Sequence, residues 1–250
     1  MDPAPPINEP TPAATPPATI LPIERVAAAL EVLLCSGYPT QIIVIAFLAS
    51  LGMRPLLPSG EFNPPFVFAL TLLDTILLLG VILVFFHAHG ESLRGQLFAR
   101  PTRGEIPVGI ALIPASFLVI VVVLVLVQTV APFLRNVPHN PLSDLAKTKL
   151  NAMIFAFVVI VAGGVREEIQ RGFALRRFEQ YLGGGGVGLA LFSPLFGLGH
   201  LDQGYNVALA TAVLGAVWGA VFLRRRSVAA PMIGHAGFDL AQVLILMRAS

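Results

Sequence analysis

Glu167, Glu168, His200, His235 and Asp239 are the side chains in this chain whose types and spacing could do chemistry. Carboxylates and imidazoles are the groups that take up and release protons near neutral pH. Each stands in or beside a strongly apolar run, where a charge at bilayer depth costs roughly 2.5 to 3.5 kcal/mol on insertion scales and so needs a reason. Glu167 and Arg171 are four apart and Glu168 and Arg171 three apart, so on a helix the arginine can lie beside either carboxylate. One guanidinium cannot satisfy both unless Arg166 or another helix helps. His235 and Asp239, also four apart, share a helical face. Asp74, inside an earlier apolar run, needs a partner that the sequence does not identify.

The elements that must position these groups are long and hydrophobic. A spanning helix takes about 20 mostly apolar residues to cross about 30 Å of hydrocarbon. Seven runs qualify: Val26 to Leu51, interrupted at Gly37, Tyr38 and Pro39; Phe66 to Phe86; Ile106 to Val130; Leu150 to about Gln180; Val187 to Leu201; Val207 to Leu223; and Val228 to Met247. The first is either one kinked helix or a re-entrant half followed by a span. If the fourth helix continues to Gln180, Glu167 lies about 20 Å from its end, His200 lies about 20 Å into the fifth, and His235 about 16 Å into the seventh. Those depths agree, so the groups can meet in one intramembrane cavity. The competing reading ends the fourth helix near Val165, leaving its charges at the interface and the histidines as packing residues.

The ordered set Glu167-Glu168-Ile169-Gln170-Arg171, then Phe196 to His200, then His235 to Asp239 resembles the EExxxR, FxxxH and HxxxN/D motifs of the CPBP family of intramembrane proteases. That family includes CAAX prenyl endopeptidases and bacterial bacteriocin-processing, Abi-like relatives. The resemblance covers about 150–247. It implies that Glu167 is the base that activates water, that His200 positions or polarises that water, and that His235 with Asp239 stabilises the oxyanion. Glu168, Arg171 and Phe196 are supporting residues in this reading. Some relatives carry Asn at the last motif position, whereas an ionised Asp239 only accepts hydrogen bonds. Asp239 then donates as the protonated acid, orients His235, or joins a metal set. Glu167, His200 and His235 could form a three-ligand zinc site with an open position, since the family has been read both as glutamate and as metalloprotease.

Composition agrees with a membrane setting. Hydrophobic residues make up 56% of the chain and charged residues 12%, about half the charged share of a soluble domain; the mean hydropathy is +0.81. The fold class expected is all-α, a polytopic integral membrane helical bundle of about seven spans. Met1 to Pro22 holds eight prolines and neither Lys nor Arg, which excludes a signal peptide and predicts a disordered Pro-rich tail over 1–22 before a single transmembrane domain over 23–250. The net charge of +2 is dispersed between apolar runs, which argues against nucleic acid as a partner. Nine Lys and Arg residues fall on one side of a seven-span bundle and five on the other, placing the N-terminus in the cytoplasm of a plasma or inner membrane and the C-terminus outside. Cys35, the single cysteine, is a packing residue, and His87 and His89 are interfacial.

The function expected is endopeptidase cleavage of a membrane-associated peptide or protein, lipidated or membrane-anchored, with membrane lipid as the other partner. Two alternatives compete: a non-catalytic scaffold or self-protection protein of the same fold, and an ion-coupled carrier using Asp74, Glu167 and Asp239. The absence of an HExxH helix, of Gly-x-Ser-Gly and of Gly-x-Gly-Asp sets aside zincin-like, rhomboid-like and aspartyl types.

Overall fold

The computed structural model describes residues 20–100, 102–138 and 140–249, so the expected tail lies almost wholly outside the described residues. Ten α-helices follow one another and no strand occurs among the described residues. In chain order they are α1 (Pro22–Leu34), α2 (Tyr38–Ser50), α3 (Pro64–Ala88), α4 (Leu93–Leu97), α5 (Thr102–Val130), α6 (Lys149–Val159), α7 (Glu168–Tyr181), α8 (Gly185–Leu198), α9 (Tyr205–Arg225) and α10 (Ala229–Ala249).

The chain is an all-α membrane bundle, but the count of spans differs from the expectation. Four helices are long and apolar enough to cross a membrane: α3, α5, α9 and α10. A fifth appears if α1 and α2, bent by 41° at their junction, count as one broken span. The bend has a local cause. Gly37 adopts φ +89°, a left-handed conformation that glycine takes without a Cβ clash, and Pro39 follows in the first turn of α2. The freed carbonyl of Cys35 at the end of α1 accepts a hydrogen bond from Gln170 Nε2 at 3.0 Å, so α7 holds the kink from outside.

The two remaining runs fall short of the seven-span expectation for different reasons. Val187 to Leu201 yields only α8, 14 residues long, or about 21 Å at 1.5 Å per residue. Leu150 to Gln180 is helical throughout, yet its second half is loaded with charge. Between α6 and α7 the chain forms a π-helical segment, Ile160–Glu167, so the helix does not end near Val165. A π segment widens the backbone by one residue per turn and recurs at functional sites. Here it contains Gly163 and Gly164, both buried against α10: a Cβ on Gly164 would sit 2.5 Å from the Ala236 Cβ, and one on Gly163 would fall on the Asp239 carboxylate. Two glycines thus let α10 approach the widened helix closely.

α10 lies between this π segment and α5. Leu112, Leu214, Trp218, Ala230 and Phe238 form the core there, while Leu78, Ile82, Phe86, Phe173 and Phe222 pack α3, α7 and α9 together. Large aliphatics such as Ile76, Leu118, Val121, Val125 and Val130 point outward. That exposure suits side chains that face lipid and would be anomalous on a water-soluble surface.

Candidate active site

The π segment and the first turn of α7 deliver two consecutive carboxylates into different surroundings. Glu168 is buried and accepts from the guanidinium of Arg171, one turn on, and from His235 Nδ1 at 2.8 Å. Since Glu168 is the acceptor for Arg171, the His235 proton in that bond is assigned to Nδ1. Arg171 is itself enclosed between two aromatic rings, with its guanidinium carbon 4.4 Å from the Phe196 centroid and 5.5 Å from that of Trp218. Phe196 therefore supports the site through the arginine, and its ring also lies 5.1 Å from that of His200.

Glu167 is partly open. Its Oε1 accepts from Arg166 Nη2 at 2.8 Å, and its Oε2 stands 3.9 Å from His235 Nε2, beyond hydrogen-bond length. The same Nε2 is 3.4 Å from Asp239 Oδ2, as the four-residue spacing on α10 predicted. The His235 ring is fixed from one side by Trp218 of α9, stacked at 3.9 Å between centroids and 24° between planes. With Nδ1 given to Glu168 and one face covered by indole, Nε2 is the end of this imidazole left towards Glu167 and Asp239.

His200 differs from expectation in its setting. It lies two residues past the end of α8 and caps the 3₁₀ turn Leu201–Gln203 instead of riding on a continuous helix. Its Nδ1 bonds the Phe196 carbonyl at 3.1 Å, an acceptor it shares with the Gly199 backbone N–H where α8 stops. His200 nevertheless lies within electrostatic range of both Glu167 and His235. Glu167, His200, His235 and Asp239 all line one cavity of about 500 Å³, which Arg166 and Trp218 also border.

The three-ligand zinc arrangement does not form. No three His, Cys, Asp or Glu side chains among the described residues are placed to hold a metal ion. The Nδ1 bonds of His200 to a backbone carbonyl and of His235 to Glu168 leave both Nε2 atoms open.

The partner of Asp74 and the part taken by Trp218 escaped sequence reading. Asp74 finds its partner in Arg166, whose Nη1 donates to Oδ2 at 2.9 Å. Trp218, the only tryptophan, gave no signal because an aromatic on an apolar helix looks like core.

Buried carboxylates and imidazoles gathered around a cavity in a membrane-embedded helical bundle define a class of intramembrane enzyme sites. Residues 149–241 match the family model described as type II CAAX prenyl endopeptidase Rce1-like, in agreement with the family that the motifs resemble. The match includes all seven motif residues from Glu167 to Asp239 and supports a protease. No curated protein and no solved structure matches the chain.

Proposed function

We propose that this protein is an intramembrane endopeptidase in which Glu167 activates water for attack on a peptide carbonyl. The observation that carries the reading is the 3.9 Å gap between Glu167 Oε2 and His235 Nε2 inside the cavity. It is too long for a direct hydrogen bond and short enough for one water to contact both groups. Glu167 Oε2 takes a proton from that water as its oxygen bonds to the carbonyl carbon, and the carbonyl oxygen becomes an oxyanion. His235, taken as the imidazolium with Nδ1–H on Glu168, stabilises that charge through its Nε2 proton, with Asp239 orienting the ring and His200 polarising the water. Collapse breaks the C–N bond, and the proton held on Glu167 passes to the leaving nitrogen. Glu168 and Arg171 hold His235 and do not touch the reacting atoms.

The substrate class follows from the setting: a peptide or protein held at the membrane, with a prenylated C-terminus as the first candidate because of the family description. The arginines joined at one end of the bundle, Arg100, Arg176, Arg177, Arg225 and Arg226, support a cytoplasmic placement for that end under the positive-inside rule. The test is cleavage of an internally quenched, S-prenylated CAAX peptide by protein reconstituted in liposomes. Glu167→Gln is expected to lower turnover by about 10²- to 10⁴-fold while inserting and melting like the wild type. Turnover retained in Glu167→Gln overturns the reading. Proteins that accumulate uncleaved in cells carrying the variant identify the native substrate.

A further inference from the structure

Resting on that reading, we propose that Asp74 and Arg166 form a positioning relay that decides which oxygen of Glu167 acts as the base. Asp74 lies on α3, outside the residues matched by the family model. It is buried, and its Oδ2 receives Arg166 Nη1 at 2.9 Å while Arg166 Nη2 reaches Glu167 Oε1 at 2.8 Å. One planar guanidinium therefore bridges two carboxylates from different helices, a geometry that its rigid fork permits and an ammonium does not.

The bridge is unusual for its position. Neighbouring residues on an α-helix do not face each other, yet Arg166 and Glu167 are paired where the π segment closes. Asp74 supplies the reason: it anchors one arm of the guanidinium, so only the other arm is available to Glu167. The consequence is specific. Oε1 is occupied by Arg166, and Oε2 is left towards His235. Without Asp74, Arg166 is free to take both oxygens of Glu167 in the bidentate form that arginine favours with carboxylates. The base would then be masked although every motif residue remained in place.

The relay is surrounded by a polar corner that belongs to the kink between α1 and α2. Thr40 and Gln41 lie beside Asp74, and a Cβ on Gly37 would come within 3.8 Å of Arg166 Nη1 and 3.2 Å of Gln170 Nε2. Asp74 Oδ1 and Arg166 Nε find no hydrogen-bond partner among the described residues. The guanidinium is thus held by its two terminal nitrogens alone, which makes Arg166 movable once either bond is lost.

The test uses full-length protein in liposomes with the prenylated peptide probe, and Glu167→Gln as a control. Asp74→Asn is expected to lower kcat on the order of 10²-fold, the scale of a misplaced catalytic group, with KM within about threefold of wild type. Asp74→Glu should recover part of the loss. Arg166→Lys keeps the charge pair and the fold but cannot bridge both carboxylates, so kcat should fall similarly. The double variant Asp74→Asn/Arg166→Gln removes both charges and should regain the thermal stability lost in either single neutral variant, with kcat still low. A substrate-free readout is the infrared carboxylate band of Glu167, assigned by its loss in Glu167→Gln; its splitting should change in Asp74→Asn. Wild-type kcat in Asp74→Asn or Arg166→Lys overturns the relay, as do turnover restored together with stability in the double variant and an unaltered infrared band. A fully active Glu167→Gln strikes instead at the endopeptidase reading, leaving the infrared comparison to judge the relay alone.

Discussion

Two buried ionic clusters share the α6–α7 helix, and they are built to opposite ends. Around Arg177, both oxygens of Glu31 and both of Glu91 are engaged: Arg177 Nε and Nη1 reach Glu31 Oε2 and Glu91 Oε2 at 2.6 Å each, His89 bonds Glu31 Oε1 at 2.6 Å, and Gln180 bonds Glu91 Oε1 at 2.6 Å. The guanidinium is also sandwiched near Phe173 and Phe86. Around Arg166, by contrast, Glu167 keeps one oxygen off any direct hydrogen bond and a cavity lies beside it. Charge burial alone does not mark a catalytic centre. Carboxylates with both oxygens engaged tie α1, the turn before α4 and α7 together, whereas around Arg166 one oxygen each of Asp74 and Glu167 is left without a direct hydrogen bond, and that of Glu167 has room beside it for water and substrate.

The comparison breaks if the two clusters respond alike to losing a member. The largest expected effect on stability belongs to Arg177→Met, which strands Glu31 and Glu91 without their shared cation. Removing one partner of a buried ion pair costs about 3 to 5 kcal/mol, so thermal unfolding in detergent should move down by a margin easily read. Turnover per folded molecule should stay near wild type. Glu167→Gln should show the reverse, with the melting curve kept and turnover lost. Equal damage to turnover in both would remove the distinction between a tie and a site.

A smaller effect separates close packing near the reacting groups from close packing beside them. Gly163→Ala places a methyl on the Asp239 carboxylate and 3.4 Å from His235 Nε2. Gly164→Ala crowds Ala236 on the same two elements without meeting an ionised group. Overpacking of this kind costs about 1 to 3 kcal/mol, and both variants should lose stability in that range. Only Gly163→Ala should also lose turnover, at least about tenfold, because displacing a catalytic group by about 1 Å costs up to about 10²-fold. Matching kcat values for the two variants would show that Asp239 need not hold its place.

How much of this was legible beforehand follows from what sequence patterns encode. Apolar runs fixed the helical class, and the four-residue step from His235 to Asp239 fixed their shared face, because helix period is local information. The seven-span count is not confirmed, because hydropathy cannot distinguish a 14-residue helix ending at Leu198 from one that continues through His200; Gly197 and Gly199 were the available hints. The π segment was invisible, since Gly163-Gly164 in an apolar run reads equally well as ordinary helix packing. Asp74's partner lies 92 positions away, a contact made by the tertiary fold and not by any spacing. Arg171 was readable as a partner for either glutamate, but only the position of His235 decided that it serves Glu168.

The smallest expected effect tests the other limit of the comparison, an ion pair left in solvent. Lys147, between the 3₁₀ turn Pro141–Ala146 and α6, reaches the buried Asp144 Oδ1 at 3.2 Å and, on its outer side, Glu61 Oε2 at 2.7 Å, where both side chains are substantially exposed. The Glu61 carboxylate beside it raises the Lys147 ammonium above its ordinary value. A raised folded-state value means that any stabilisation is complete below the unfolded lysine pKa of about 10.4 and fades only as pH rises through the folded one, so none of it changes between pH 6 and 8. Water and salt screen such a pair, and holding two long side chains together costs entropy. Glu61→Gln, which removes the exposed partner and leaves the Lys147–Asp144 pair, should therefore melt with the wild type at pH 6 and at pH 8, with unchanged turnover. A clear drop in melting temperature would mean that the loop before α6 is anchored at its surface, and that saturation of buried carboxylates is not what separates the structural ion pairs of this bundle from its catalytic ones.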